Sequence, residues 1–297
     1  MALSKDVRQC VVFVGFQKGC EGTARINPCG TAFFFQGGRH LKGGCYLVTA
    51  RHVASKLAAP WVVRMNRKGG GAGVVEINRP QDVAWHYHPD PTVDLAVAPL
   101  AVPEWADVTP VSADYSLHPF KMKSKRIDAG DLAFVVGLFH LLHGKEENRP
   151  IVHGGYIAML PGDDRIPVTD QYGEESEVEG YLVQANAISG CSGSPVFAIR
   201  SLEVEVPPSM FKDPKTMGNS PLNGEIPGSL WLLGIWQSSW KVKGAEIVAV
   251  RTDADVKSGM MAPLGMGVVV PVTKLFEILD TPELKNPREE AAAKYRD

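Results

Sequence analysis

An all-β fold is predicted by three features of this sequence. Short apolar or alternating runs, bounded by Gly, Pro, Asn or Asp, recur throughout. The 30 glycines and 22 prolines are scattered along the chain without a repeating period, and no long helical pattern separates the runs. Many short strands joined by turns argue for antiparallel barrels or sandwiches over a βαβ arrangement.

Ten strands are expected, at residues 11–15, 31–35, 46–49, 61–65, 95–98, 132–136, 181–184, 195–198, 231–235 and 267–270. These runs are rich in β-branched, aromatic or aliphatic residues, such as Val11, Val12, Phe13 and Val14, which the turn former Gly15 closes. Two helices are expected. A short turn follows His52 over residues 53–57. A second starts near Pro271, where Val272, Leu275, Phe276 and Leu279 recur at helical spacing, and stops before Thr281 and Pro282. The tail from residue 283 reads as a further solvated helix or a frayed end. Residues 68–73, 163–179 and 201–229 read as long loops. The last holds Pro207, Pro208, Pro214, Pro221 and Pro227, which exclude it from a sheet interior.

A composition of 44% hydrophobic and 22% charged residues excludes global disorder. A net charge of -2 removes the basic footprint on which sequence-independent nucleic-acid binding depends, so no nucleic-acid partner is expected. The five cysteines, Cys10, Cys20, Cys29, Cys45 and Cys191, are odd in number and contain no Cys-x-x-Cys pair, which suggests neither a disulfide framework nor a zinc site. With no signal-like start and no run of eighteen apolar residues, a cytoplasmic protein with no membrane partner is expected.

The chemistry concentrates in Gly190, Cys191, Ser192, Gly193, Ser194 and Pro195. A serine between glycines allows a tight turn whose N–H groups converge on an oxyanion beside the hydroxyl. Such a serine requires a base, itself oriented by a third group. His52 stands just after an apolar strand, and Asp94 at the head of another. Thr49-Ala50-Arg51-His52, Asp94-Leu95-Ala96-Val97 and the glycine-flanked serine resemble, in order and spacing, the three motifs of trypsin-like (chymotrypsin-fold) serine peptidases. Gly30-Thr31-Ala32-Phe33-Phe34, Gly130 to Gly137, His153 to Ile157 and Gly267 to Pro271 extend the similarity over residues 10–280, and favour the bacterial HtrA-like branch.

The resemblance implies two six-stranded antiparallel β-barrels with a C-terminal helix. Residues 1–115 would carry His52 and Asp94. Residues 116–280 would carry the serine and the specificity pocket, and residues 281–297 form a tail too short for a PDZ domain. It implies catalysis by His52 as base, Asp94 as its orienter and Ser192 as nucleophile, with the N–H groups of Gly190 and Ser192 as oxyanion hole. Asn186, Gln237, Ser238, Ser239 and Gly267 would line the substrate pocket. None of these is acidic, so a basic substrate side chain would find no buried countercharge. The chain departs from digestive relatives in having Cys191 where they carry an activation aspartate, and Ser194 where the family has a second glycine.

The expected function is therefore a serine endopeptidase, a hydrolase needing no cofactor or metal. Its partners are a protein or peptide substrate and a regulatory protein that gates it. The alternative is a catalytically silent binding scaffold of the same fold. An α/β-hydrolase is excluded by chain order, since all eight histidines precede Ser192. Cys191 as nucleophile lies one position early. His86 and His88 share a strand face, but no further ligand lies nearby in sequence, so a surface-loop role is favoured over a metal. The acidic run Glu174, Glu175, Glu177 and Glu179 reads as a solvated loop.

Overall fold

A computed structural model of the chain describes residues 3–19, 24–37, 44–169, 175–187, 190–201, 229–243 and 261–294. Helix α1 (Lys5–Gln9) leads into β1 (Val11–Gln17), β2 (Ile26–Gln36) and β3 (Cys45–Thr49), followed by the short helix α2 (Arg51–Ala54). Then come β4 (Trp61–Asn66), β5 (Ala72–Ile77), β6 (His86–Tyr87), β7 (Ala96–Pro99) and β8 (Val111–Ser112). Helix α3 (Pro119–Lys125) precedes β9 (Leu132–Gly137), β10 (Ile151–Met159), β11 (Ile166–Thr169), β12 (Glu175–Val178), β13 (Tyr181–Gln184) and β14 (Pro195–Ile199). The chain continues through β15 (Trp231–Lys243) and β16 (Met261–Pro271) into helices α4 (Val272–Leu279) and α5 (Pro282–Lys294).

Six of the later strands close into a barrel in the order β10-β13-β16-β15-β14-β9, with every pairing antiparallel. The earlier strands form an eight-stranded sheet in the order β5-β4-β1-β2-β3-β7-β6, with β8 pairing to β2 in parallel. This sheet departs from the expected six-stranded barrel. Among the described residues its path stays open, because the edge strand β6 has only two residues and pairs with β7 alone.

Alternation along the strands sorts the apolar residues into separate cores. Val12, Val14, Phe34, Leu47, Val63 and Met65 pack together inside the curve of the N-terminal sheet. Their neighbours Val11, Phe13, Phe33, Phe35 and Val48 face the other way, into a cluster completed by Val136, Leu138 and Ile235 of the barrel and by Leu275 and Ile278 of α4. Both faces of β1 and β2 are thus buried, which is why these strands read as continuous apolar runs. The barrel interior holds Val135, Val183, Val196, Leu233 and Trp236.

All ten expected strands form, as does the helix after Pro271; the short helix expected over 53–57 instead spans Arg51–Ala54 and so contains His52. Short elements that were not expected also form, α1, β6 and β8 among them, and four longer segments differ from expectation. The stretch 68–73 is a turn only in part, since Ala72 begins β5 and pairs with Asn66. Residues 163–179 contain the hairpin β11–β12, anchored at its base by buried Ile166 and Val178 against Val268; one anchor gives no readable period. Residues 119–125, for which no element was expected, form α3, where proline occupies the first turn, a position whose N–H has no helical partner. The tail is a docked helix: Leu284 and Arg288 are buried, and the Arg288 guanidinium donates to the Leu279 carbonyl at 2.9 Å. Most of the proline-rich stretch 201–229 lies outside the described residues.

Candidate active site

Helix α2 carries His52 and begins directly after β3. Its N-cap residue, Ala50, has no side-chain acceptor for the unpaired N–H groups of the first turn. Asp94, just ahead of β7, supplies one from outside: its Oδ1 accepts the His52 backbone N–H at 2.9 Å, while its Oδ2 lies 2.6 Å from His52 Nδ1. One carboxylate therefore caps the helix and fixes the ring. Accepting from Nδ1–H leaves the lone pair on Nε2. The pair is partly shielded, with the imidazole 33% and the carboxylate 13% exposed.

The loop that delivers Asp94 is clamped by the neighbour of His52. Arg51 donates to the carbonyl oxygens of His88 and Pro91, and its guanidinium lies 5.3 Å from the Tyr87 ring centroid. Asp90 folds the loop by accepting from the Thr92 N–H and hydroxyl, hydrogen bonds that hold its carboxyl below the usual carboxylate range. His88 is buried, accepts the Asp90 N–H on Nδ1 and donates from Nε2 to Glu277 of α4 at 2.9 Å. Glu277 also pairs with Lys274, which reaches Glu179. His88 thus joins a structural ion-pair network.

Ser192 arrives from the barrel in a turn between residue 190 and β14. Gly193 has φ +86°, and a Cβ there would lie 2.2 Å from the Thr31 carbonyl oxygen, 2.3 Å from Thr49 Oγ1 and 3.0 Å from the Ala50 nitrogen. The turn therefore presses against the residues just ahead of Arg51 and His52. The Ser192 carbonyl accepts the Thr31 N–H at 3.1 Å, and the Gly193 N–H donates to Trp236 at 2.9 Å. Among the described residues, Ser192 Oγ makes no hydrogen bond to the imidazole.

Cys191 points inward: its side chain is 1% exposed and its thiol donates to the Leu138 carbonyl at 3.3 Å. Cys10, Cys29, Cys45 and Cys191 are all free thiols. Burial pushes Cys10 up to about 12 and Cys45 up to about 11, which keeps both protonated and unreactive. Ser194 is fully buried, and its hydroxyl has no partner among the described residues. Gly137 makes room for it, since a Cβ there would fall 1.9 Å from Ser194 Oγ.

Of the expected pocket residues, Gln237, Ser238 and Ser239 stand half-buried on β15, where a register shift bulges the strand. Ser239 Oγ donates to the Ala187 carbonyl at 3.0 Å, tying this wall to the end of the segment after β13. Asn186 is exposed, and its amide lies beside Gly265, whose φ is +72°. Gly267 is buried on β16, and what it makes room for is the Trp236 indole.

No known sequence family matches the chain, and no curated protein does. Solved structures do. The MamO protease domain from Magnetospirillum magneticum superposes with a TM-score of 0.52 at 15% identity, covering 94% of this chain and 100% of that one. The chain has the trypsin-like serine peptidase fold. The Rv3671c protease from M. tuberculosis, in its active form, matches at 17% identity over 92% of this chain and 80% of its own, with a TM-score of 0.46. The HtrA-type protease AlgW, solved with a decapeptide, matches at 14% over 95% and 73%, with a TM-score of 0.45.

Sequence reading missed three supports of the candidate site. The Arg51 clamp had a local signal, a basic residue beside the expected base. The second is a lock between the two halves: buried Arg64 of β4 donates to Gly144, Lys145 and Asn148, and Asn148 exchanges hydrogen bonds with Asn66. The third is Thr31, which reaches across 159 positions to Gly190. Neither of these two leaves a mark in local sequence.

Proposed function

We propose that the chain is a serine endopeptidase that cleaves peptide bonds through an acyl-enzyme. The observation that carries this reading is the double contact of Asp94 with His52, at 2.6 and 2.9 Å, beside a glycine-flanked serine whose turn presses against Thr49 and Ala50, just ahead of that helix. His52 Nε2 takes the Ser192 proton as Oγ attacks the scissile carbonyl, and Asp94 stabilises the imidazolium that forms. The N–H groups of Gly190 and Ser192 hold the developing oxyanion. The imidazolium then protonates the leaving amine, and water, deprotonated by the same ring, releases the acyl group.

In this reading the open N-terminal sheet takes the place of the first barrel and the closed barrel that of the second, with the cleft between them. Asn186 and the wall from Gln237 to Ser239 receive a small or medium apolar or polar side chain. The free thiols suit a cytoplasmic setting, where they stay reduced, and a regulatory protein gates the enzyme there.

A fluorophosphonate probe tests the reading. The wild-type chain is expected to label at Ser192. Ser192→Ala is expected to abolish labelling and to lower kcat by about 10⁴-fold or more while melting normally. A folded wild-type chain that never labels would instead be a silent module of this fold.

A further inference from the structure

Thr31 sits in the middle of β2, flanked by Gly30 and Ala32, at a fully buried position where a β-branched apolar residue would pack equally well. Burying a hydroxyl is unfavourable unless both its donor and its acceptor are used. Here both are. Thr31 Oγ1 accepts the Leu138 N–H at 2.8 Å and donates to the Gly190 carbonyl at 2.8 Å. The same residue's backbone N–H donates to the Ser192 carbonyl at 3.1 Å, and its own carbonyl accepts from Thr49 Oγ1 at 2.6 Å. One residue of the N-terminal sheet therefore grips the tripeptide Gly190 to Ser192 at both ends, and braces it on the end of β9 and on the strand before His52.

Gly190 is the weak point of that tripeptide. Its φ is +105°, and as a glycine it can leave that conformation at little cost, taking its peptide planes with it. Fixing its carbonyl removes most of this freedom. We propose that Thr31 is a positioning residue for the oxyanion hole: its hydroxyl, bonded at once to Gly190 and Leu138, preorganises the Gly190–Ser192 backbone from across the seam between the two halves. This rests on the acyl-transfer reading above and adds the device that makes the donor geometry depend on docking of the halves. The hydroxyl touches no substrate. Its loss should therefore act on the transition state, where the oxyanion forms, and leave ground-state binding unchanged.

The test compares Thr31→Val, which keeps the shape and removes both hydroxyl bonds, with Thr31→Ser, which keeps the bonds and removes a methyl group. Three quantities are read: the second-order rate of fluorophosphonate labelling at Ser192, kcat and KM on a peptide substrate taken from a library, and the melting curve. Thr31→Val is expected to lower labelling and kcat about tenfold or more, with KM within about twofold. Thr31→Ser should stay within about threefold of wild type. If Thr31→Val does not melt cooperatively, Thr31→Ala takes its place. A folded variant lacking the hydroxyl yet labelled at the wild-type rate overturns the proposal, as does a serine variant as impaired as the valine one. A wild-type chain that does not label overturns the peptidase reading and this proposal together, whereas wild-type labelling with an indifferent Thr31 overturns this proposal alone.

Discussion

Replacing Asp94 with asparagine separates the two tasks of that carboxylate. In the wild type, Oδ1 caps helix α2 through the His52 N–H at 2.9 Å, and Oδ2 accepts from Nδ1 at 2.6 Å. In Asp94→Asn the carbonyl oxygen keeps the cap, but an amide NH₂ faces Nδ1. Two donors cannot share that contact, so the imidazole shifts its proton to Nε2 and offers Ser192 no lone pair. The expected loss is about 10⁴-fold in kcat, or roughly 5.5 kcal/mol at about 1.4 kcal/mol per decade. Stability should barely change. Asp94→Ala removes the cap as well, and should lower stability by a further 1 kcal/mol or about that. Labelling rates, peptide hydrolysis and melting curves of the two variants distinguish the effects. An asparagine variant labelled at the wild-type rate would refute the tautomer argument, and equal stability losses in the two variants would refute the capping argument.

Three further outcomes follow from the geometry. Arg64→Met leaves three acceptors, on Gly144, Lys145 and Asn148, without their buried guanidinium; it should cost about 3 kcal/mol, seen as a fall in melting temperature of roughly 6 to 12 °C. Gly137→Ala drives a methyl group into Ser194 Oγ and should destabilise by about 1 to 3 kcal/mol, while the double variant with Ser194→Gly recovers most of that in a denaturant-unfolding cycle. Glu277 is subject to two opposed influences: burial pushes its carboxyl up, but hydrogen bonds from His88 and Lys274 outweigh this and hold it below the usual range. Because the folded value is the lower one, the stabilisation is fully present above the unfolded value and is lost as pH falls through the folded one. The melting-temperature gap between wild type and Glu277→Gln should therefore be positive at neutral pH and close as pH drops below about 4.

The legible parts of the molecule were those where a local pattern has a single structural meaning. Val11 to Val14 and Phe33 to Phe35 read as strands because both of their faces are buried, and Val272 to Leu279 read as a helix because one face packs on the shared core. The tight turn around Ser192 was legible because φ values of +105° and +86° at Gly190 and Gly193 require glycine. Strand β5 was hidden by Gly73, which is needed beside the Trp105 ring, and α3 by a proline that breaks helices elsewhere but fits a first turn. The contacts of Thr31 with Gly190 and of Arg64 with Asn148 join residues 159 and 84 positions apart. No local signal encodes such pairs, since a buried threonine or arginine has the same neighbours in sequence whether or not a distant carbonyl awaits it.

These long-range bonds all lie along one seam. The largest apolar cluster is shared there, with Phe13, Phe33 and Phe35 from the sheet meeting Val136, Leu138 and Ile235 from the barrel, and Leu275 from α4 beneath them. Each such side chain contributes about 1.5 to 3 kcal/mol on burial, more than a typical hydrogen bond gives net. The apolar seam therefore sets whether the halves dock, and the polar contacts set the register in which they do. His52 and Asp94 belong to one side, Ser192 and Gly190 to the other, and the bonds from Thr31 and the close approach of Gly193 to Thr49 join them. A substitution that loosens the seam without unfolding either half should consequently reduce labelling of Ser192 before it lowers the melting temperature, because the site requires the register and the fold requires only the burial.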